Sequence, residues 1–363
     1  MTNKPTPFRS LLAWLLVSSC LFTVTSCLVK VQDHQFPSPK TLAAVQGPPV
    51  AAGLLYPIGI TEDPKGHLWV TEAGSGTVNN GQVSVITPTG KFPVITGFVS
   101  AMSPENSPEG LNHLAYKDGK LYILHGVEDK LYIVDVSAFV PGSSAPIAAG
   151  SLTGIDIGTY VKGQHPNAPD SPDSNPYNLT FGPNGDLFIT DAGANAIVRL
   201  EKASNFMTMS IFATFPDVTN PIFDPTQPQN GPPTIDAVPT GIVYNGTDFL
   251  VTTLVGYPFP ANKASIYKVN AMGTATVHKT NFSGLTDIAL TPGGKALVTE
   301  FGFSTTPRIA NGDVNGDDAG STVLGLGTPP YVTPVDILVS NTADTYYVLF
   351  YGPGMIVKLS ATE

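Results

Sequence analysis

The chain has 363 residues, with 28 acids against 18 bases, a formal charge of -10 and only 13% charged residues. That balance disfavours nucleic acid and anionic lipid surfaces as partners. Frequent Gly and Pro (36 and 34 residues) among Val, Ile, Thr and Tyr predict an all-β chain.

Lys4 and Arg9 precede the apolar run "LLAWLLVSSCLFTV" at 11–24, too short for a stable membrane span, so residues 1–26 read as a signal peptide. The run ends in "VTSC", which resembles the lipobox of bacterial lipoproteins and implies a lipid on Cys27. With the leader gone, 28 acids face 16 bases and the charge is -12. Cys27 is then the sole cysteine, which excludes an internal disulfide or a cysteine-based metal centre. Residues 27–39 read as a tether and 40–363 as a single domain, expected as a monomer in the bacterial cell envelope, held to a membrane by lipid at the periplasmic face or outer-membrane surface.

A module then recurs about every fifty residues: "YPIGITEDPKGHLWVTEAG" at 56, "SPEGLNHLAYKDGKLYILHG" at 107, "NPYNLTFGPNGDLFITDAG" at 175, "VPTGIVYNGTDFLVTTLVG" at 238, "GLTDIALTPGGKALVTEFG" at 284 and "TPVDILVSNTADTYYVLFYG" at 333. Each has an apolar strand, a turn rich in Gly, Asn, Asp or Pro, and a second apolar strand; third and often fourth strands follow. Four antiparallel strands per repeat predict a six-bladed β-propeller. The last copy stops one strand short, so "KTLAAVQ" at 40–46 is expected to pair beside residues 355–361 and close the ring.

"GPNGDLFITDAGANAIVRLE" resembles an NHL-type repeat. The blocks "DSNPYNLTF", "FATFPD", "VPTGIV" and "TTLVGYPFPANKASIYKV" are similar to the ScyD/ScyE family of exported propellers over about residues 50–351. That resemblance implies a six-bladed propeller and, for some members, association with pigment-synthesis gene clusters, without an established catalytic residue. Members have Glu-Leu-Thr-Gly where this chain has Thr253-Leu254-Val255-Gly256, so one acid is absent here.

Strand order puts the ends of the six second strands on one face: Glu72, His125, Asp191, Thr253, Glu300 and Phe350. The starts of the inner strands bring Glu109, Asn112, Asn175, Asp287 and Asp336 close by, and together they predict an acidic channel mouth. Asp191 also suits plain turn chemistry, accepting backbone N–H bonds. His113 and His165 rank below His125 as candidates. Long loops at 100–110, 159–176, 216–239 and 256–264 belong to the same face, with Tyr257 and Phe259 as candidate contact aromatics. "NGDVNGDDAG" at 311–320 echoes a calcium loop, but Asp318 stands where the turn needs Gly and Leu324 where it needs Glu, so a solvated turn is expected.

No GxSxG, HExxH or P-loop occurs. The first expectation is therefore a binding or scaffold module that takes a small ligand or protein on this face. The alternative is a lactonase-like hydrolase in which Glu72, Asn175, Asp191 and Glu300 hold Ca²⁺ or Mg²⁺. A third reading is a strictosidine-synthase-like role beside a pigment pathway.

Overall fold

The computed structural model describes residues 41–44, 48–164, 166, 172–303, 305–312, 320, 322–326, 329 and 331–362. Cys27, the residues expected to form the tether, His165 and most of the 311–320 loop lie outside the described residues.

Six antiparallel sheets form the blades of a propeller, with the inner strands running Pro57–Glu62, Leu111–Lys117, Pro176–Phe181, Pro239–Tyr244, Leu285–Leu290 and Pro334–Val339. Each pairs with a second strand, Leu68–Glu72, Lys120–His125, Leu187–Asp191, Phe249–Thr253, Ala296–Glu300 and Thr345–Phe350. The turns between them carry the chemistry that tight reversals demand: in "GPNGD", Asn184 and Gly185 take left-handed φ values of 61° and 77°. Outer strands differ more between blades. In blade two the fourth strand is only Ile155–Asp156, and the preceding segment sends Ile147–Ala148 across to run parallel to Gly90–Phe98 of blade one. Among the described residues, a short helix, Gly158–Gln164, leads into the 159–176 loop, and its Val161 is buried against blades two and three.

Every blade is covered on both faces by its neighbours, so its strands bury both sets of side chains; Leu68–Glu72, Leu187–Asp191, Phe249–Thr253 and Ala296–Glu300 are buried throughout. The core accordingly divides into six apolar clusters, one in each seam. Trp69, Val83 and Val85 meet Leu111, Leu121 and Ile123 between blades one and two, and Ile58, Ile60 and Val70 meet Val335, Leu349 and Ile356 between blades one and six.

Polar bonds repeat in register with this packing. Thr71 Oγ1 donates to Asn112 O of the next blade at 2.6 Å, Thr190 Oγ1 to Thr240 O at 2.5 Å, Thr240 Oγ1 to Leu285 O at 2.8 Å and Thr286 Oγ1 to Pro334 O at 3.2 Å. Blade two has no hydroxyl at this place, and Asn112 Nδ2 substitutes by donating to Pro176 O at 2.9 Å. Five of the six seams are thus both apolar and stitched near the axis, and blade six, which has no such donor, instead accepts Ile60 N of blade one on Asp336 Oδ2 at 2.8 Å; these bonds orient the inner strands relative to one another.

The described segments that precede blade one join blade six. Val50 N donates to Ile356 O and Leu54 N to Gly354 O, both at 2.9 Å, while Thr41–Ala44 lies antiparallel to Met355–Thr362 with Thr41 opposite Thr362.

Candidate functional site

Two rings of equivalent residues encircle the axis. The first consists of the second-strand ends, each paired with the first residue of its inner strand: Pro57 with Glu72, Leu111 with His125, Pro176 with Asp191, Pro239 with Thr253, Leu285 with Glu300 and Pro334 with Phe350. The six positions predicted from the repeats are therefore equivalent. They do not line an open funnel: Glu72, His125, Asp191 and Glu300 are 1, 0, 0 and 3% exposed.

The three acids of this ring hold the chain as it enters each blade. Glu72 accepts from Leu55 N at 2.7 Å, Asp191 from Asn175 N at 2.8 Å and Glu300 from Ser283 N at 2.7 Å. Their other bonds are also local. Glu72 takes Ser84 Oγ and Gln82 Nε2, Asp191 takes Ser174 Oγ and Ala194 N, and Glu300 takes the Arg308 guanidinium. Burial pushes the Asp191 carboxyl up to about 6 against the pull of those hydrogen bonds. His125 accepts Glu128 N on Nδ1 at 3.1 Å, and burial lowers its imidazole to about 4. Asn175 is occupied as well, its Oδ1 accepting Asn112 Nδ2 at 2.7 Å. Glu72, Asn175, Asp191 and Glu300 are thus committed to their own blades or to the adjoining one. Among the described residues, Glu72, Asp191 and Glu300 do not converge on a common point as metal ligands would.

The second ring lies two residues further along each inner strand: Gly59, His113, Asn178, Gly241, Asp287 and Asp336. In all six blades the inner hairpin slips register at this point, a bulge that re-aims the side chain. The glycines, in opposite blades, make room for their neighbours. A Cβ on Gly59 would lie 2.6 Å from His113 Cα, and one on Gly241 2.6 Å from Ile288 N. Across these gaps, blades that are not adjacent touch. Asn178 Nδ2 donates to Asp287 Oδ1 at 2.9 Å over blade four, and His113 Nε2 comes within 3.6 Å of Asp336 Oδ2 over blade one. Asp336 Oδ2 also accepts Ile60 N at 2.8 Å, and Asp287 Oδ2 accepts Ile337 N at 3.2 Å. The Asp287 and Asp336 carboxyls each bring an oxygen to within 4.8 Å of the other, and burial raises both, Asp287 to about 6 and Asp336 well above its ordinary value. His113 was underrated by sequence reasoning and Asn178 missed. The signal lies in the aligned strand starts "PIGI", "LNHL", "PYNL", "PTGI", "LTDI" and "PVDI", whose third column changes chemistry while its neighbours, Asn112 apart, stay apolar or hydroxylic.

Above the rings the loop face is apolar on one side. Tyr257, Phe259, Phe303, Phe301, Tyr351 and Tyr56 form a continuous run across blades four, five, six and one, with successive centroids 6.1, 4.3, 4.5, 6.3 and 5.2 Å apart. Tyr257 and Phe303 are 52% and 46% exposed. The Tyr351 hydroxyl donates to Pro108 O at 2.8 Å, which places the end of the run beside the short hairpin carrying the exposed Glu109. Glu109 is held above its ordinary value by partial desolvation and then by the charges of Glu105 and Asp173. A separate cleft of about 220 Å³, lined by Phe188, Arg199, Phe212 and Tyr244, opens at the hairpin turns on the opposite face.

Blades, stitched seams and a polar axis define a six-bladed β-propeller. No protein-family model and no curated protein matches the sequence. Solved structures match in fold. The PQQ-bound aldose sugar dehydrogenase of Streptomyces coelicolor aligns with a TM-score of 0.56 at 12% identity, over 89% of this chain and 99% of that one. A protein of unknown function from Bacteroides thetaiotaomicron gives 0.54 at 11%, over 88% and 75%. A gluconolactonase by provisional assignment gives 0.51 at 13%, over 90% and 94%. Identities this low establish a shared architecture and leave the chemistry to the residues of this chain.

Proposed function

We propose that this propeller is a binding module that takes a small aromatic ligand bearing a cationic group on its loop face. The supporting observation is the aromatic run that ends beside Glu109, with Glu105 and Asp173 near that acid. Ring faces stack on a flat apolar ligand and attract cations, while the acids reward a positive charge and penalise a negative one. Binding is favoured over catalysis because His113, Asp287 and Asp336, the group with convergent chemistry, are only 3–5% exposed. The lactonase reading needs Glu72, Asp191 and Glu300 free to engage a metal, whereas each is held by its own blade.

Tryptamine and indole-3-propionate, titrated into the purified full-length chain, test the proposal. Tryptamine is expected to bind at least about tenfold more tightly, a difference of about 1.4 kcal/mol. Phe303→Ser should weaken both ligands, while Glu109→Gln should remove the preference without lowering Tm. Equal affinity for amine and acid, or binding indifferent to Phe303→Ser, would sink the proposal.

The proposal includes a lipid on Cys27 that holds the propeller to the cell envelope, supported by the "VTSC" junction after the apolar leader. No helix among the described residues is long and apolar enough to cross a membrane. Cys27→Ser is expected to move the protein from the membrane fraction to the soluble one. A variant that stays with the membrane would show that another element anchors it.

A further inference from the structure

The axial ring contains a polar atom that the fold leaves without a partner. His113 Nδ1 lies 3.1 Å from the carbonyl oxygen of Tyr177, which can only accept, so Nδ1 carries the proton and Nε2 presents a lone pair. That Nε2 is buried with no hydrogen-bond partner, on a side chain only 3% exposed. Its lone pair faces Asp336 Oδ2 at 3.6 Å, and one ligand atom each from His113, Asp287 and Asp336 lie within 4.8 Å of one another. Among the described residues neither carboxylate forms an ion pair with Lys or Arg. Two buried acids and a neutral imidazole are therefore assembled without a compensating cation.

We infer that His113, Asp287 and Asp336 bind one divalent transition-metal ion, Zn²⁺ or Mn²⁺, which ties blades two, five and six together across the axis. An imidazole in the donor set favours such ions over Ca²⁺, which takes oxygen ligands. Bonds of roughly 2.0–2.1 Å around a tetrahedral ion separate the ligand atoms by about 3.3 Å, so the 3.6 Å His113–Asp336 spacing needs little adjustment. The surroundings supply the supporting contacts that metal ligands usually have. The Tyr177 carbonyl sets the imidazole tautomer, Asn178 and Ile337 N hold Asp287, and Ile60 N holds Asp336. Gly59 of blade one lets His113 and Asp336 reach one another across that blade, and Gly241 of blade four lets Asn178 reach Asp287.

Metal analysis of the purified full-length chain, followed by chelation and titration with Zn²⁺, Mn²⁺ and Ca²⁺, tests the assignment. One ion per chain, or a rise in Tm when Zn²⁺ or Mn²⁺ is returned to the stripped protein, is expected. Co²⁺ should give the visible absorption of a nitrogen- and oxygen-ligated site. Asp336→Asn keeps an acceptor for Ile60 N and should fold, while its affinity for the ion falls about 100-fold. His113→Gln should abolish the Co²⁺ band. A stripped wild-type protein whose Tm neither Zn²⁺ nor Mn²⁺ moves overturns the inference, as does an Asp336→Asn variant that responds like wild type. A response to Ca²⁺ alone overturns the choice of ion.

Discussion

Replacing Gly241 by alanine is expected to destabilise the propeller by about 3 kcal/mol, at the upper end of the usual cost of overpacking. The new Cβ would sit 2.6 Å from Ile288 N and 2.7 Å from Asp287 Cα, both backbone atoms of the neighbouring blade. Backbone cannot rotate away as a side chain can, so the inner strands of blades four and five must separate. That movement strains the bond from Thr240 Oγ1 to Leu285 O and displaces Asp287 from the axis. With an unfolding entropy near 0.7 kcal/mol/K for roughly 320 residues, the loss corresponds to a Tm lower by about 5 °C. Gly150 is the control: no heavy atom lies within 4 Å of its Cβ position, and Gly150→Ala should change Tm little. Calorimetry on the two variants decides the matter, and equal melting temperatures would show that the axial glycines are not required by packing.

Blade-equivalent residues His125 and Asp191 should give the protein two pH dependences of opposite sign. The His125 imidazole has a folded value of about 4 against an ordinary 6.5, because burial opposes its charge. Its contribution is fully present above 6.5 and is lost as pH falls through about 4, since the unfolded chain takes up the proton first. The Asp191 carboxyl is displaced the other way, to about 6 from 3.8. Its contribution is present below 3.8 and is lost as pH rises through about 6. At about 1.4 kcal/mol per pH unit, each effect amounts to about 3 kcal/mol.

Asp191→Asn isolates the second effect without breaking contacts. Oδ1 accepts both Asn175 N and Ala194 N, so an amide oxygen can take its place; among the described residues Oδ2 accepts from Ser174 Oγ, a hydroxyl able to turn and accept from an amide. Urea unfolding between pH 4 and 7 should show Asp191→Asn gaining on the wild type as pH rises. His125→Gln, whose amide oxygen can still accept Glu128 N, should gain as pH falls. Curves parallel to the wild type would mean that neither group titrates as its burial implies.

The repeat, the six-blade count and the equivalence of Glu72, His125, Asp191, Thr253, Glu300 and Phe350 were all legible in the sequence. A propeller blade buries both faces, so every copy must repeat the same alternation of apolar strand and polar turn. The same regularity concealed what the acids do. An acid after a strand reads alike whether it faces solvent or accepts the backbone of an entering loop, and only burial tells these apart. The helix Gly158–Gln164 lay unnoticed in a Pro- and Asp-rich loop because Gly158 and Gly163 weaken the local signal and Val161 is fixed by tertiary packing.

The axial ring shows the division most clearly. By itself the sequence determined that six inner strands exist, where they begin and which residue stands third in each, because local alternation sets the strand period. Ring closure alone decided that His113, Asp287 and Asp336, up to 223 positions apart by their numbers, meet at one point. The bulge turns those side chains inward, and Gly59 removes what would stand between His113 and Asp336. Convergence at an axis depends on long-range geometry, and no pattern along the chain encodes it directly.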